Sequence, residues 1–347
     1  MNNSTLRSRW RISALALVAI LATNALTSAV EPLRICATTP DLGSLARAIG
    51  GDAVQLTVFA RGPEDPHFIS AKPSFMKSLS QADLLLYTGL ELEIGYLPPL
   101  IEGCRNPRLL LGAAGNFDAS AAIEPLDRPV DGVDRSMGDV HGGGNPHYLL
   151  DPVNGWRVAR HLREKMSTLR PDAATAFAAN FDAFELRLAA ALVGESLTTR
   201  LGAKPVLETL AKNSSVPLTN DPALGGWLAA TVPLRGALVI ADHNLWPYFA
   251  RRFGIDVVGY LEPKPGIPPS TRHLGEIVAL VKTRAVKLVM TAPYFDTKPA
   301  EFVARETGAS IVRLAHQPGA VAGVDDYLAM CEYNVTALVR GWRGETP

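Results

Sequence analysis

Seven histidines offer this sequence its metal chemistry, and three of them occupy one kind of place. His67 lies in Glu64-Asp65-Pro66-His67-Phe68, His147 in Gly144-Asn145-Pro146-His147-Tyr148, and His243 in Ala241-Asp242-His243-Asn244. Each falls in a loop that leads from a strand towards a helix. In open α/β sheets, ligands collect outside the carboxyl ends of the strands, where such loops converge. Imidazole nitrogen suits Zn²⁺, and three imidazoles leave one tetrahedral position for a carboxylate, a fourth His or water. Mn²⁺ prefers more oxygen ligands, so the set leans towards zinc. Spacing alone is weak evidence, because no HExxH or paired-His motif is present and an isolated loop histidine is ordinarily solvated. Pro66 and Pro146 stiffen the loops directly before two of the three.

The elements that must position these residues alternate regularly. Leu33 to Ala37 reads as a strand, followed by a helix with Thr39 as N-cap and Pro40 in its first turn. Val54 to Phe59, Ala82 to Tyr87 and Leu109 to Leu111 read as further strands, with a helix opening at Pro73. The segment from 115 to 145 is rich in Asp, Gly and Pro and reads as a long exposed loop. Its single histidine, His141, reads as solvated. Asp151-Pro152 opens a helix, and Pro171 to Val193 is the longest helix candidate. There Phe177, Phe181, Phe184 and Leu188 fall on one face, and at about 1.5 Å per residue the helix spans roughly 35 Å. A second alternating run follows, with strands at 236–241, 257–261, 286–291 and 311–314, and a closing helix from Asp325 to Trp342. Alternation of this kind implies parallel sheets faced by helices. The expected fold is two α/β lobes with central parallel sheets, joined by one long rigid helix. The expected divisions are 30–165, 166–196 for the connecting helix, and 197–347.

The N-terminus reads as a secretory signal peptide over residues 1–29. Arg7, Arg9 and Arg11 precede an apolar run from Ile12 to Leu26, and small residues follow to Ala29. The run is short for a membrane span. The first cysteine, Cys36, lies inside the first strand rather than after the apolar run, so no lipid anchor is expected. The whole chain balances 34 basic against 34 acidic residues, and loss of three arginines with the signal leaves it mildly acidic. No basic stripe suggests nucleic acid. Cys36, Cys104 and Cys331 are too few for a disulfide framework. His161 and His273 fall in helical stretches and read as surface positions. Trp246, Pro247 and Tyr248 read as cleft walls, and Glu262 as solvated.

Four segments resemble the zinc- and manganese-binding solute-binding proteins of ABC importers. DPHFISAKPSFMKSLSQADLLLYTGLELE is similar to the segment of that family that carries its first ligand, GNPHYLLDPVN to the second, and VIADHNLWPYFARRFGIDVVGYLEPKPGIPPS to the third. YFDTKPAEFVARETGA resembles the stretch leading to the fourth. The resemblance runs from the first strand to the end of the chain and implies ligands at His67, His147 and His243, with the metal in the cleft between lobes. It departs from the pattern at Leu314-Ala315-His316-Gln317, where many members have an acidic ligand, so the fourth position is open among His316, Asp325 and water. It also lacks the long His-rich loop of many zinc-specific members. The implied function is capture of a transition-metal ion, Zn²⁺ ahead of Mn²⁺, in the periplasm. A monomeric carrier would hand it to a membrane permease driven by its ATPase. No catalysis is expected. The rivals are a secreted zinc hydrolase, for which Asp65 and Asp242 are candidate bases, and a metal-binding surface adhesin of the same fold.

Overall fold

The computed structural model describes residues 31–129, 141–212, 218, 220–264 and 266–345. The expected signal peptide and the middle of the Asp/Gly-rich segment lie outside the described residues. Among those described, no helix is long and apolar enough to cross a membrane.

Residues 33 onward form two four-stranded parallel sheets. The first contains β1 (Leu33–Ala37), β2 (Val54–Val58), β3 (Leu84–Tyr87) and β4 (Asn116–Asp118) in the order β2-β1-β3-β4. The second contains β5 (Leu238–Ala241), β6 (Asp256–Tyr260), β7 (Leu288–Thr291) and β8 (Ser310–Arg313) in the matching order β6-β5-β7-β8. The inner strands are short continuous apolar runs because helices cover both faces of each sheet. β3 (LLLY) and β7 (LVMT) are examples, and Leu84, Leu85, Leu86, Val289 and Met290 have no exposed surface. Register is set by pairs such as Ile35 with Leu84 and Val239 with Leu288. In both sheets the chain steps first to one side of the central strand and then to the other. The switch point therefore falls between β1 and β3 in one lobe and between β5 and β7 in the other.

The helices are α1 (Pro40–Gly50), α2 (Pro73–Gln81), α3 (Leu97–Cys104), α4 (Pro152–Leu169), α5 (Ala174–Val193), α6 (Glu195–Leu201), α7 (Ala203–Lys212), α8 (Gly226–Ala230), α9 (Pro247–Phe253), α10 (Thr271–Arg284), α11 (Lys298–Thr307) and α12 (Tyr327–Trp342). The long connecting helix is α5, 20 residues. Its Phe177, Phe181, Phe184 and Leu188 are all buried, as their spacing requires. α5 packs against α1 and α4 on one side of the chain and against α7 and α8 on the other. One apolar core runs continuously from β1 through α5 to α12. The lobes therefore share a core, which restricts hinge motion.

Three local expectations are corrected. Pro171–Ala173 is a separate 3-10 turn before α5. Pro107–Leu109 is likewise a 3-10 turn, and the fourth strand lies later, at Asn116–Asp118, where it pairs with β3. The apolar pair Leu110 and Leu111 that suggested a strand is exposed instead, Leu111 by 89%. Thr39 occupies the N-cap position of α1, but its hydroxyl makes no capping hydrogen bond. Asp151 does cap α4, accepting from the Val153 N–H at 2.9 Å. The three cysteines are free and buried.

Candidate metal centre

The candidate residues leave the carboxyl ends of the two sheets. Beyond β2 come Asp65 and His67. Beyond β4 the chain returns at His141 and His147. Beyond β5 come Asp242 and His243, beyond β6 Glu262, and beyond β8 His316. The cleft between them has a volume of about 370 Å³ and is lined by Asp65, His67, His243, Glu262, Tyr294 and Phe295 among others. Phe68 stands at its edge, 68% exposed.

His67, His147 and His243 are brought together. Their ring centroids stand 5.2 Å apart for His67 and His147, 6.3 Å for His67 and His243, and 6.1 Å for His147 and His243. The side chains of His67 and His243 are 7% and 6% exposed. Each has its Nδ1 held by a carboxylate: Asp65 Oδ1 at 2.7 Å from His67 and Glu262 Oε2 at 2.8 Å from His243. A carboxylate in that position accepts the Nδ1–H hydrogen bond and keeps the proton on Nδ1, which leaves Nε2 as the lone-pair nitrogen and makes it more basic. Burial pushes the Asp65 carboxyl up, but its hydrogen bonds to His67 and the charge beside it hold it below the usual carboxylate range. Phe295 stacks on the His243 ring, 5.6 Å between centroids. The backbone N–H of His147 is fixed by Asn145 Oδ1 at 3.0 Å.

A fourth imidazole joins them. The Nε2 atoms of His141 and His67 lie 3.3 Å apart, and the rings stack at 5.3 Å. This overturns the reading of His141 as solvated. Its loop is anchored by Gly142, whose N–H donates to Glu91 Oε2 at 2.8 Å. Burial, with His67 and His243 nearby, pushes the His141 imidazole down to about 4. His147 is driven well below its ordinary value by burial and by the same imidazole neighbours. These rings are neutral at pH 7, the form that binds metal. As the side chains stand, no three His, Cys, Asp or Glu among the described residues are arranged to hold a metal ion. The rings are gathered but not yet converged on one point.

His316 stands in a different setting. Its ring packs edge-on against Tyr294 at 4.6 Å, and its Nε2 donates to the Glu64 carbonyl at 3.1 Å. Its neighbour Gln317 donates through Nε2 to the carbonyls of Arg61, Gly62 and Glu64 at 2.9–3.1 Å. Together they clasp the loop that carries His67. Asp325 is exposed on the turn before α12. Glu262, expected in solvent, is largely buried against His243. Trp246 and Tyr248 are fully buried and do not line the cleft. The Tyr248 hydroxyl accepts from the Leu126 N–H and donates to the Asn145 carbonyl, both at 2.8 Å, bracing the loop before His147. His273 is tied to the Tyr260 carbonyl at 3.0 Å, and neither it nor His161 reaches the cluster.

Glu262 was legible from position, since it follows β6 as His243 follows β5. His141 had no such signal, because it lies far past its strand and its approach depends on the Glu91 anchor.

Comparisons with known proteins agree with this fold. The chain matches the family described as zinc-uptake complex component A, periplasmic, over residues 35–202 and 227–341. It is 22% identical to the manganese ABC transporter substrate-binding lipoprotein PsaA of Streptococcus anginosus, with 95% of this chain and 96% of that protein covered. It is 21% identical to the iron ABC transporter substrate-binding lipoprotein MtsA of Streptococcus pyogenes serotype M1, with 95% of each covered. The crystal structure of a zinc-bound deletion mutant of ZnuA shares its fold, with a TM-score of 0.65 at 23% identity, covering 91% of this chain and all of that one. These relatives are binding proteins of transport systems and are named for different metals. The chain belongs to the zinc-uptake component A family, the metal-binding substrate-binding proteins of ABC importers.

Proposed function

We propose that this protein captures one divalent transition-metal ion, Zn²⁺ in preference to Mn²⁺, and presents it to a membrane permease from the periplasmic side. His67, His147 and His243 are the ligands, and His141 takes the fourth position. The observation that carries this reading is the pair of carboxylate–imidazole contacts, Asp65 with His67 and Glu262 with His243. Each leaves Nε2 as the ligating atom, and the two come from opposite lobes, so a single ion would bridge them. An all-imidazole set favours zinc over manganese. The rings turn inward onto the ion as it enters. His141 has its Nε2 3.3 Å from that of His67, which favours it for the fourth place over His316, whose Nε2 is turned to the Glu64 carbonyl.

Binding rather than hydrolysis is supported by the state of the two candidate bases. Asp65 is engaged by His67. Asp242 accepts from the backbone N–H groups of His243 and Ala292 and from Trp246. Neither is left to activate water. The chain acts as a monomer, exported by its N-terminal signal and docking on the permease across both lobes.

Competition against a chromophoric chelator tests the reading. The metal-stripped protein is titrated with Zn²⁺ and with Mn²⁺ separately at neutral pH. Tight zinc binding that is lost in both His67→Ala and His243→Ala is expected. Tighter binding of Mn²⁺ than of Zn²⁺ would overturn the metal assignment, and zinc binding untouched by both substitutions would overturn the site.

A further inference from the structure

Behind the imidazole cluster lies a second, smaller space. It is a chamber of about 30 Å³ with a polar wall formed by Thr39, Asp41, Thr88, His147, His316 and Gln317. Prolines and leucines complete it. Four of these residues carry a buried side-chain atom with no hydrogen-bond partner: Thr39 Oγ1, Asp41 Oδ1, Thr88 Oγ1 and His316 Nδ1. The residues are 3%, 6%, 3% and 8% exposed. Buried polar atoms are nearly always satisfied, so four orphans on one chamber call for an occupant.

The chemistry of the wall narrows what that occupant is. Because the Nε2 of His316 faces the Glu64 carbonyl, Nε2 carries the proton and Nδ1 presents a lone pair. Asp41 presents a carboxylate oxygen, and both threonines present hydroxyl oxygens. No Lys or Arg lines the chamber. A buried carboxyl without a counter-charge holds its proton, and a cation entering the chamber would take that proton's place. The chamber has room for about one water-sized body, given that a water needs roughly 10–15 Å³ of such volume. The Thr39 hydroxyl is available because it does not cap α1.

We propose that this chamber is a second cation site, distinct from the histidine cluster, which takes a small divalent ion through Asp41, Thr39, Thr88 and His316 Nδ1. Three oxygens and one nitrogen make it harder than the imidazole cluster, so it selects an oxygen-preferring ion such as Mn²⁺. His147 belongs to the wall of the chamber as well as to the histidine cluster, but the chamber's ligands do not include His67, His141, His147 or His243, so the two assignments are tested separately.

The test uses the full-length mature protein, loaded with one equivalent of Zn²⁺ and then titrated with Mn²⁺, with bound Mn²⁺ read by its paramagnetic resonance signal. The expected result is about one equivalent of bound Mn²⁺ beyond the zinc, lost in Asp41→Asn and weakened in Thr88→Val, with zinc retained in both. Thr88→Val keeps the test usable should Asp41→Asn fold poorly. His243→Ala should weaken zinc and spare the Mn²⁺ signal. Failure of zinc to bind at all would count against the histidine cluster, whereas an Asp41-dependent Mn²⁺ signal would still uphold the chamber. Absence of bound Mn²⁺, or a signal indifferent to both Asp41→Asn and Thr88→Val, would overturn the proposal and leave the chamber to water.

Discussion

Glu262 Oε2 lies 2.8 Å from Nδ1 of His243, although the two residues leave different strands of the second sheet. The same oxygen accepts the Gly266 N–H at 3.0 Å, so the carboxylate is itself held in place. His243 therefore reaches the cleft with both its tautomer and its ring plane set. Glu262→Gln keeps the shape but loses the charge that makes Nε2 a strong donor. Zinc affinity is expected to fall about 10- to 100-fold, the usual cost of removing such a partner, with little change in melting temperature of the metal-free protein. Chelator competition measures the first and calorimetry the second. An unchanged zinc affinity would show that the contact does not orient a ligand.

His141 and His316 compete for the fourth position, and their surroundings predict different behaviour on substitution. His141 has its Nε2 3.3 Å from that of His67. His141→Ala should weaken zinc at unchanged thermal stability. His316→Ala removes a clasp on the loop from Arg61 to Glu64 and opens space beside Tyr294. It should lower the melting temperature first and affinity only through that loop. Comparing the two variants by titration and thermal denaturation decides the matter. The reverse pattern would make His316 the ligand.

Much of this was readable in the sequence, and the division has a physical basis. Helix faces follow from local periodicity, which is why Phe177, Phe181, Phe184 and Leu188 all proved buried. His67, His147 and His243 were identifiable because each sits where a strand-end loop must sit. What escaped depends on contacts between distant segments. Leu110 and Leu111 look like a strand but have no sheet edge to join. Thr39 has the right type and place for a cap, yet its hydroxyl is turned to the chamber instead. His141 reaches the cluster only because Glu91, 51 residues earlier than Gly142, holds its loop.

The buried pair between Asp151 and Arg252 joins helices from the two halves of the chain. Arg252 places Nε 2.8 Å and Nη2 2.9 Å from the two carboxylate oxygens, and both side chains are almost wholly buried. Arg252 also donates to the Leu210 carbonyl at 3.1 Å. Removing one partner of such a pair strands a buried charge, at a cost of about 3–5 kcal/mol. Arg252→Met should destabilise the protein by that order in denaturant titration. Double replacement with Asp151→Asn should recover part of the loss, since the stranded charge is gone. A single variant as stable as the wild type would mean that the pair is replaced by solvent without cost.

Asp41 gives the metal-free protein a definite pH dependence. Burial pushes its carboxyl up to about 7, against the opposing pull of a backbone hydrogen bond. Tyr327 and Cys331 on α12 face it, both held neutral by burial, and His316 faces the same chamber. In the folded state Asp41 keeps its proton up to about pH 7, whereas the unfolded chain gives it up near the ordinary value of 3.8. Between those values the folded state binds the extra proton, so stability falls as pH rises and then levels off above about 7. The full change from this group is on the order of 4 kcal/mol. Asp41→Asn cannot ionise and should flatten this part of the profile, so that its stability relative to the wild type rises from pH 4 to pH 8 by about the amount the wild type loses. Denaturant midpoints of the stripped protein across pH 4 to 8 measure it. Parallel profiles for the two proteins would show that Asp41 titrates alike in the folded and unfolded states, and that its burial carries no electrostatic cost.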